Sequence, residues 1–193
     1  MEKQGKLVLV IGPTGSGKSA LMAHARQAVP GLVFPISCTT RAMRPGEVEG
    51  ENYFFVTPEE FERRVKAGDF LEWKHTDEKR YGTLKSQILT PLAEGKTVIR
   101  EVEIRGARDI LGGLVPRDLV HTIYIDGGSW EQLEARILRR ASMGEVELAS
   151  RRTRYAEESV FKNEADVVIE NTEGKLEEAK QEFEKAIRAI MEA

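Results

Sequence analysis

Short apolar runs separated by longer stretches of helical periodicity set the pattern of this chain. Four runs, Leu7–Ile11, Thr97–Ile104, Val120–Ile125 and Asp166–Glu170, are rich in β-branched residues and read as strands. Strands that alternate with helices build a parallel sheet covered on both faces, an α/β fold. Residues 37–83 break this rhythm. Tyr53–Val56 and Phe70–His75 are strand-like and lie close together, and between them sits a helix with both ends marked. Thr57 is its cap, Pro58 suits its first turn, Glu60 completes a capping box and Gly68 ends it. The segment is expected to be a small antiparallel lobe inserted into the α/β core. Residues 130–163 form a second, helical insertion rich in arginine. The stretch 174–193 is an amphipathic helix whose Leu176, Ala179, Phe183, Ile187 and Ile190 recur at helical spacing and pack on the sheet.

Composition narrows the class. The 193 residues suit one domain with inserted lobes, and 40% hydrophobic with 32% charged content allows a buried core and a soluble surface. Nothing approaches the ~20 uninterrupted apolar residues of a membrane span. The run Leu7–Ile11 is too short for the apolar part of a secretory signal. One cysteine, Cys38, excludes an intrachain disulfide and points to a reducing, cytoplasmic setting. The net charge of −3 argues against a large nucleic-acid footprint, and no membrane association is expected. The arginines are unevenly placed, at 41–44 and 136–154, a clustering that fits small anions better than a long polyanion.

The strongest chemical signal is Gly12-Pro13-Thr14-Gly15-Ser16-Gly17-Lys18-Ser19, which satisfies G-x-x-x-x-G-K-[ST]. It follows a strand and opens a helix, Ala20–Ala28, which is the context the motif requires. Glycines let the backbone wrap a phosphate with its N–H groups inward, and the helix N-terminus adds about half a positive charge. Lys18 is expected to reach the β- and γ-phosphates and Ser19 to ligate Mg²⁺. This motif alone says that a nucleoside triphosphate binds.

A second anion site is suggested by Ser37-Cys-Thr-Thr-Arg41-Ala-Met-Arg44-Pro-Gly-Glu47, followed by Gly50-Glu-Asn-Tyr53-Phe-Phe. Arginine forks grip phosphate oxygens in bidentate fashion, and a tyrosine hydroxyl adds a neutral donor. Taken with Phe70-Leu-Glu72-Trp73, Arg80-Tyr81-Gly-Thr83 and Val167-Val-Ile-Glu-Asn171, these runs resemble the guanylate kinases in order and over nearly the whole chain.

The resemblance implies a P-loop NTPase fold, its parallel sheet flanked by helices, with an inserted mixed α+β GMP-binding lobe and a helical lid. The parts fall at about 1–36, 84–129 and 164–193 for the core, 37–83 for the lobe and 130–163 for the lid. It implies ATP:GMP phosphotransfer, with dGMP as a further acceptor, Mg²⁺ as cofactor, ATP and GMP as small-molecule substrates, and a monomer or homodimer. It puts Gly12 to Ala20, Arg136 and Asn171 on the ATP side, with Lys18, Arg41, Arg140 and Arg151 as catalytic charges. It places the GMP phosphate against Arg41, Arg44, Tyr53 and Tyr81, and the guanine against Ser37, Glu72 and Thr83. One carboxylate can accept from both N1–H and the 2-amino group of guanine, while hydroxyls serve O6 or N7. Adenine lacks that donor pair, and a buried polar group left unpaired costs roughly 1–3 kcal/mol. Trp73 is expected in the core.

Two runs depart from the family pattern. Glu101-Val102-Glu103-Ile104-Arg105-Gly106 stands where guanylate kinases usually carry Asp-x-Asp-x-Gln-Gly. Alternation puts Glu101 and Glu103 on one strand face, each reaching about one methylene further than Asp; the resemblance implies that both belong to the GMP-binding set, the first near the guanine and the metal–phosphate region and the second on the GMP side. Arg136-Ile-Leu-Arg139-Arg140-Ala141 replaces an Arg-x-x-Gly-Arg-Gly run, so the glycines are gone while Arg136, Arg140 and Arg151 keep their register. Arg139 is assigned to ordinary helix surface. Rival readings are a P-loop kinase with a different phosphorylated acceptor, a non-catalytic module binding a phosphorylated protein partner, and a regulatory nucleotide-binding protein.

Overall fold

A computed structural model describes residues 4–76, 79–140 and 143–193. The side chains of Thr76 and Arg140 fall outside what is described. The strands are β1 (Lys6–Ile11), β2 (Leu32–Val33), β3 (Cys38–Thr39), β4 (Phe54–Phe55), β5 (Phe70–Thr76), β6 (Lys79–Leu84), β7 (Thr97–Glu101), β8 (Val120–Asp126) and β9 (Val167–Glu170). The α-helices are α1 (Lys18–Ala28), α2 (Pro58–Ala67), α3 (Ser86–Ala93), α4 (Ile104–Asp109), α5 (Trp130–Arg140), α6 (Glu145–Val160) and α7 (Leu176–Glu192). The chain divides into two compact units, one holding residues 33–98 and the other residues 6–32 and 99–193.

Among the described residues the larger sheet has the order β2-β7-β1-β8-β9. β1 pairs parallel with β8, Leu7 opposite Val120 through Ile11 opposite Tyr124, and β8 pairs parallel with β9. Leu7 to Ile11 are buried to 1% exposure or less, so β1 is covered on both faces, as an uninterrupted apolar run requires. α7 closes the larger unit with Ala179, Phe183, Ile187 and Ile190 buried. Leu176, expected on the same face, stays 37% exposed.

β7 ends at Glu101 rather than running to Ile104, because Glu103 becomes the N-cap of α4. The chain nevertheless remains extended. Val102 turns inward and donates its N–H to the Val10 carbonyl at 3.0 Å, while Glu101 and Glu103 both face out.

The smaller unit carries a sheet ordered β4-β3-β6-β5. β3 pairs antiparallel with β6, as does β5, but β3 and β4 run parallel. The lobe is therefore mixed rather than antiparallel, and Tyr53–Val56 and Phe70–His75 lie at opposite edges of its sheet. α2 forms where its caps predict. Thr57 Oγ1 accepts the Glu60 N–H at 3.1 Å and Gly68 takes φ 71°. The Glu60 carboxylate is drawn instead to Arg63 and Arg64, at 2.6–2.9 Å, which hold it at a pKa of about 2. Cys38, Phe61 and Phe70 form the buried centre, with the two rings stacked at 4.4 Å. Trp73 is not core: it is 48% exposed, touching Phe61 only edge-on at 6.3 Å. A register shift between Phe70 and Glu72 puts Trp73 opposite Gly82, on the same face as Phe70, and the stacked Phe61 and Phe70 rings already fill that face, so the indole is left at its edge.

Candidate functional site

In the larger unit, β1 delivers the chain to Gly12 and α1 begins at Lys18. Gly17 takes φ 93°, and a Cβ there would fall on the amide nitrogen of Asn171. That amide fixes the loop: Asn171, 4% exposed, donates Nδ2–H to the Ser16 carbonyl at 2.7 Å. Asn171 is held in turn by its own N–H, which donates to the Asp126 carbonyl at 2.7 Å. Glycine at 17 and asparagine at 171 are thus one packing decision. Ser16 Oγ is buried without a hydrogen-bond partner among the described residues, as suits a cradle built to take an anion's oxygens. The Lys18 ammonium donates to the Gly12 and Pro13 carbonyls, at 2.6 and 3.0 Å, and lies 3.6 Å from the Glu101 carboxylate.

Further charged groups lie in the same unit. Arg136 donates to the Asn171 carbonyl at 2.8 Å, and one turn later Arg139 forms a two-pronged ion pair with Glu173 at 3.0–3.1 Å. These residues, with Gly15, Gly17 and Leu176, line a cavity of about 320 Å³. On α6, Arg151 gives one arm to Glu147 at 2.9 Å, while its Nε is buried and unmatched among the described residues. Glu158 completes the group. Burial pushes its carboxyl up, Glu103 adds to the shift and Lys18 opposes it.

In the smaller unit, β6 presents Tyr81 and Thr83 on one face, two residues apart. Thr83 is fully buried and its hydroxyl lies 3.4 Å from that of Ser37. Glu72 is the cross-strand neighbour of Thr83, so its side chain emerges on that same face. Ser37, Glu72 and Thr83, far apart in sequence, therefore converge. Gly82 between them has no room for a side chain, since the Phe70 ring would lie 2.8 Å from a Cβ. At the other end of the face stand Arg41, Tyr53 and Tyr81. Arg41 is 7% exposed, its guanidinium 5.4 Å from the centre of the Tyr53 ring. The Tyr53 and Tyr81 rings meet edge-on at 6.0 Å. Arg44 is exposed nearby, its N–H donating to Glu47 at 2.8 Å.

Glu47 was missed by the site reading although it closes the same sequence run. It takes both terminal nitrogens of Arg41, at 2.7 and 3.0 Å, and the Arg41 fork holds its carboxyl below the usual range. An acidic residue six positions after an arginine, in a turn-rich run, is the signal that could have found it. Asp126 and Glu158 left no comparable signal. Arg140 lies on α5, but its side chain is outside the described residues.

A buried parallel strand, a glycine-wrapped helix N-terminus and a lysine at its first position together define a P-loop nucleotide-binding protein of the α/β class. The chain matches the guanylate kinase family model over residues 4–190. It is 36% identical over 189 residues to a guanylate kinase of Rubrobacter xylanophilus, covering 98% of this chain and 96% of that one. It is 39% identical over 186 residues to one of Trichormus variabilis, covering 96% and 87%. In fold it resembles the crystal structure of guanylate kinase from Anaplasma phagocytophilum, with TM-score 0.66 and 24% identity over 98% of this chain and 87% of the other. The chain belongs to the guanylate kinase family.

Proposed function

We propose that this protein transfers the γ-phosphate of ATP to GMP, with dGMP as a second acceptor, by in-line attack of an acceptor phosphate oxygen on the γ-phosphorus. The observation that carries the reading is the convergence of Ser37, Glu72 and Thr83 at one end of a sheet face whose other end holds Arg41, Tyr53 and Tyr81. A purine monophosphate has matching ends. Glu72 accepts from N1–H and the 2-amino group of guanine, Ser37 and Thr83 serve its remaining edge, and Arg41, Arg44, Tyr53 and Tyr81 hold the phosphate.

The donor belongs to the other unit. The loop Gly12 to Ala20 wraps its phosphates, Lys18 neutralises the β- and γ-oxygens, Asn171 and Arg136 border the nucleoside, and Arg140 and Arg151 take up charge during transfer. No protein nucleophile is needed, because an ionised phosphate oxygen is already the attacking group. Among the described residues, no three His, Cys, Asp or Glu side chains form a metal site. The oxygen donors Ser19 and Glu101 beside the loop suit Mg²⁺, which keeps water and substrate phosphate as its other ligands. Bound there, the ion would withdraw charge from the phosphate oxygens. Residues 130–163 act as the lid and residues 37–83 as the acceptor lobe. No helix among the described residues is long and apolar enough to cross a membrane, and a cytoplasmic setting is part of this reading.

The test is a coupled assay of ADP release against a panel of nucleoside monophosphates, with Lys18→Ala as the inactive control. GMP and dGMP should lead. Glu72→Ala should raise KM for GMP at least tenfold while leaving KM for ATP in place. AMP or UMP outpacing GMP would refute the base-reading assignment.

A further inference from the structure

Arg139 replaces a glycine of the family pattern and was expected to be plain helix surface, yet it lines the cavity that opens beside the phosphate loop. Its pairing with Glu173 is fork to fork: Nη1 to Oε1 at 3.1 Å and Nη2 to Oε2 at 3.0 Å. This end-on pairing uses two of the five guanidinium N–H groups and holds the plane in place. A plane held in this way offers a ligand its flat face. Arg136, one helical turn earlier, is tied to the Asn171 carbonyl, so this stretch of α5 is held against the loop 171–174 at two points. Leu176 adds the apolar counterpart at the same cavity, which explains why it stays 37% exposed on an otherwise buried helix face.

We propose that the Arg139–Glu173 pair is a wall of the donor site that holds the purine of the triphosphate by its face, opposite Leu176. This rests on the donor site assigned above. A guanidinium over a purine ring gains by stacking and by charge–π attraction, and a base wedged between such a plane and an aliphatic side chain needs no edge-on hydrogen bonds to be held. Glu173 fixes the plane by taking up the fork. The pair is a positioning device: it touches the base and takes no part in phosphate transfer.

The test compares the dissociation constants of Mg-ATP and of magnesium tripolyphosphate, which has the phosphates without a base, by titration calorimetry. Arg139→Ala should weaken ATP about three- to fivefold, the scale of an exposed cation–π contact, and leave tripolyphosphate within twofold. Charge reversal at either position should weaken ATP further, and the double exchange Arg139→Glu with Glu173→Arg should recover at least half of that loss. KM for GMP should not move. Unchanged ATP affinity in Arg139→Ala overturns the proposal. So does equal weakening of ATP and tripolyphosphate, which would make Arg139 a distant phosphate charge. A double exchange no better than the single reversals would show that the pair itself is not the device. Lys18→Ala separates the two readings: it must weaken both ligands, and if it weakens neither, the donor site as a whole is misassigned.

Discussion

Asn171→Ala removes the tie between the phosphate loop and the end of β9, and the structure sets the size of the effect. The Asn171 amide is 4% exposed and its hydrogen bond to the Ser16 carbonyl, 2.7 Å long, is buried. Losing a typical bond costs about 1 kcal/mol, and stranding the buried Ser16 carbonyl raises this to about 1–3 kcal/mol. For a chain of this size each kcal/mol shifts the melting temperature by about 2–4 °C, so a drop of about 2–12 °C is expected in calorimetry. The ATP site should suffer with it, because the Ser16 peptide forms part of the wrap. A tenfold rise in KM for ATP corresponds to about 1.4 kcal/mol of lost binding, and KM for GMP should stay within twofold. Asn171→Asp refines the test. It keeps the volume but sets a carboxylate against the Ser16 carbonyl, acceptor facing acceptor, where phosphate charge must also enter, so it should be the worse substitution for ATP. If Asn171→Ala melts within a degree of the parent and binds ATP equally well, the loop does not depend on this amide and the reasoning fails.

Two further outcomes are expected. Thr83→Val keeps the shape of a fully buried residue but deletes the hydroxyl 3.4 Å from Ser37, so it should raise KM for GMP about tenfold with little change in KM for ATP; an unchanged GMP constant would remove Thr83 from the base-reading group. Asp126 gives the pH test. Burial alone would raise its carboxyl, but the Lys162 ammonium at 2.6 Å and the Gly128 N–H outweigh burial and hold it below the usual range. A depressed carboxyl contributes stability above the unfolded pKa of about 4 and loses it as pH falls through the folded value. Asp126→Asn should therefore cost about 1 kcal/mol at pH 7, discounted for the half-exposed lysine, and progressively less as acid protonates the folded-state carboxyl; a gap that persists undiminished in acid would refute the charge argument.

What could be read from the chain in advance follows from the range of each interaction. The phosphate loop is contiguous, and its flanking strand and helix are visible in the same twenty residues. The caps of α2 are likewise local, and Thr57 and Gly68 do what their residue types allow. The grouping of Ser37, Glu72 and Thr83 came from the family resemblance; the structure adds the register that makes it physical, with Glu72 opposite Thr83. Features set by distant pairing were opaque. Asn171 meets Ser16 across 155 residues, and no local pattern announces that the amide is a buttress of the loop. Trp73 was misplaced because an aromatic in an apolar run normally packs inward, whereas here the Phe61–Phe70 stack already fills the inner face that Trp73 shares. Leu176 fitted the helical stripe by spacing alone, and only the cavity beside it explains its exposure.

Glu101 shows how a departure from the family pattern can leave a site coherent. The Lys18 ammonium donates to two loop carbonyls and lies in ion-pair range of the Glu101 carboxylate. The carboxylate is 42% exposed and 3.6 Å away, so this last contact is an ion pair in a wet setting, on the order of 1 kcal/mol or less. A triphosphate brings several negative charges into the wrap, where the α1 N-terminus already favours them, and easily outbids one half-exposed carboxylate for the ammonium. Glu103 lies at the N-cap position of α4, where its side chain makes no capping hydrogen bond. The two acids of the family pattern thus stand in different settings, one 3.6 Å from the phosphate-loop lysine and the other at the entry to α4.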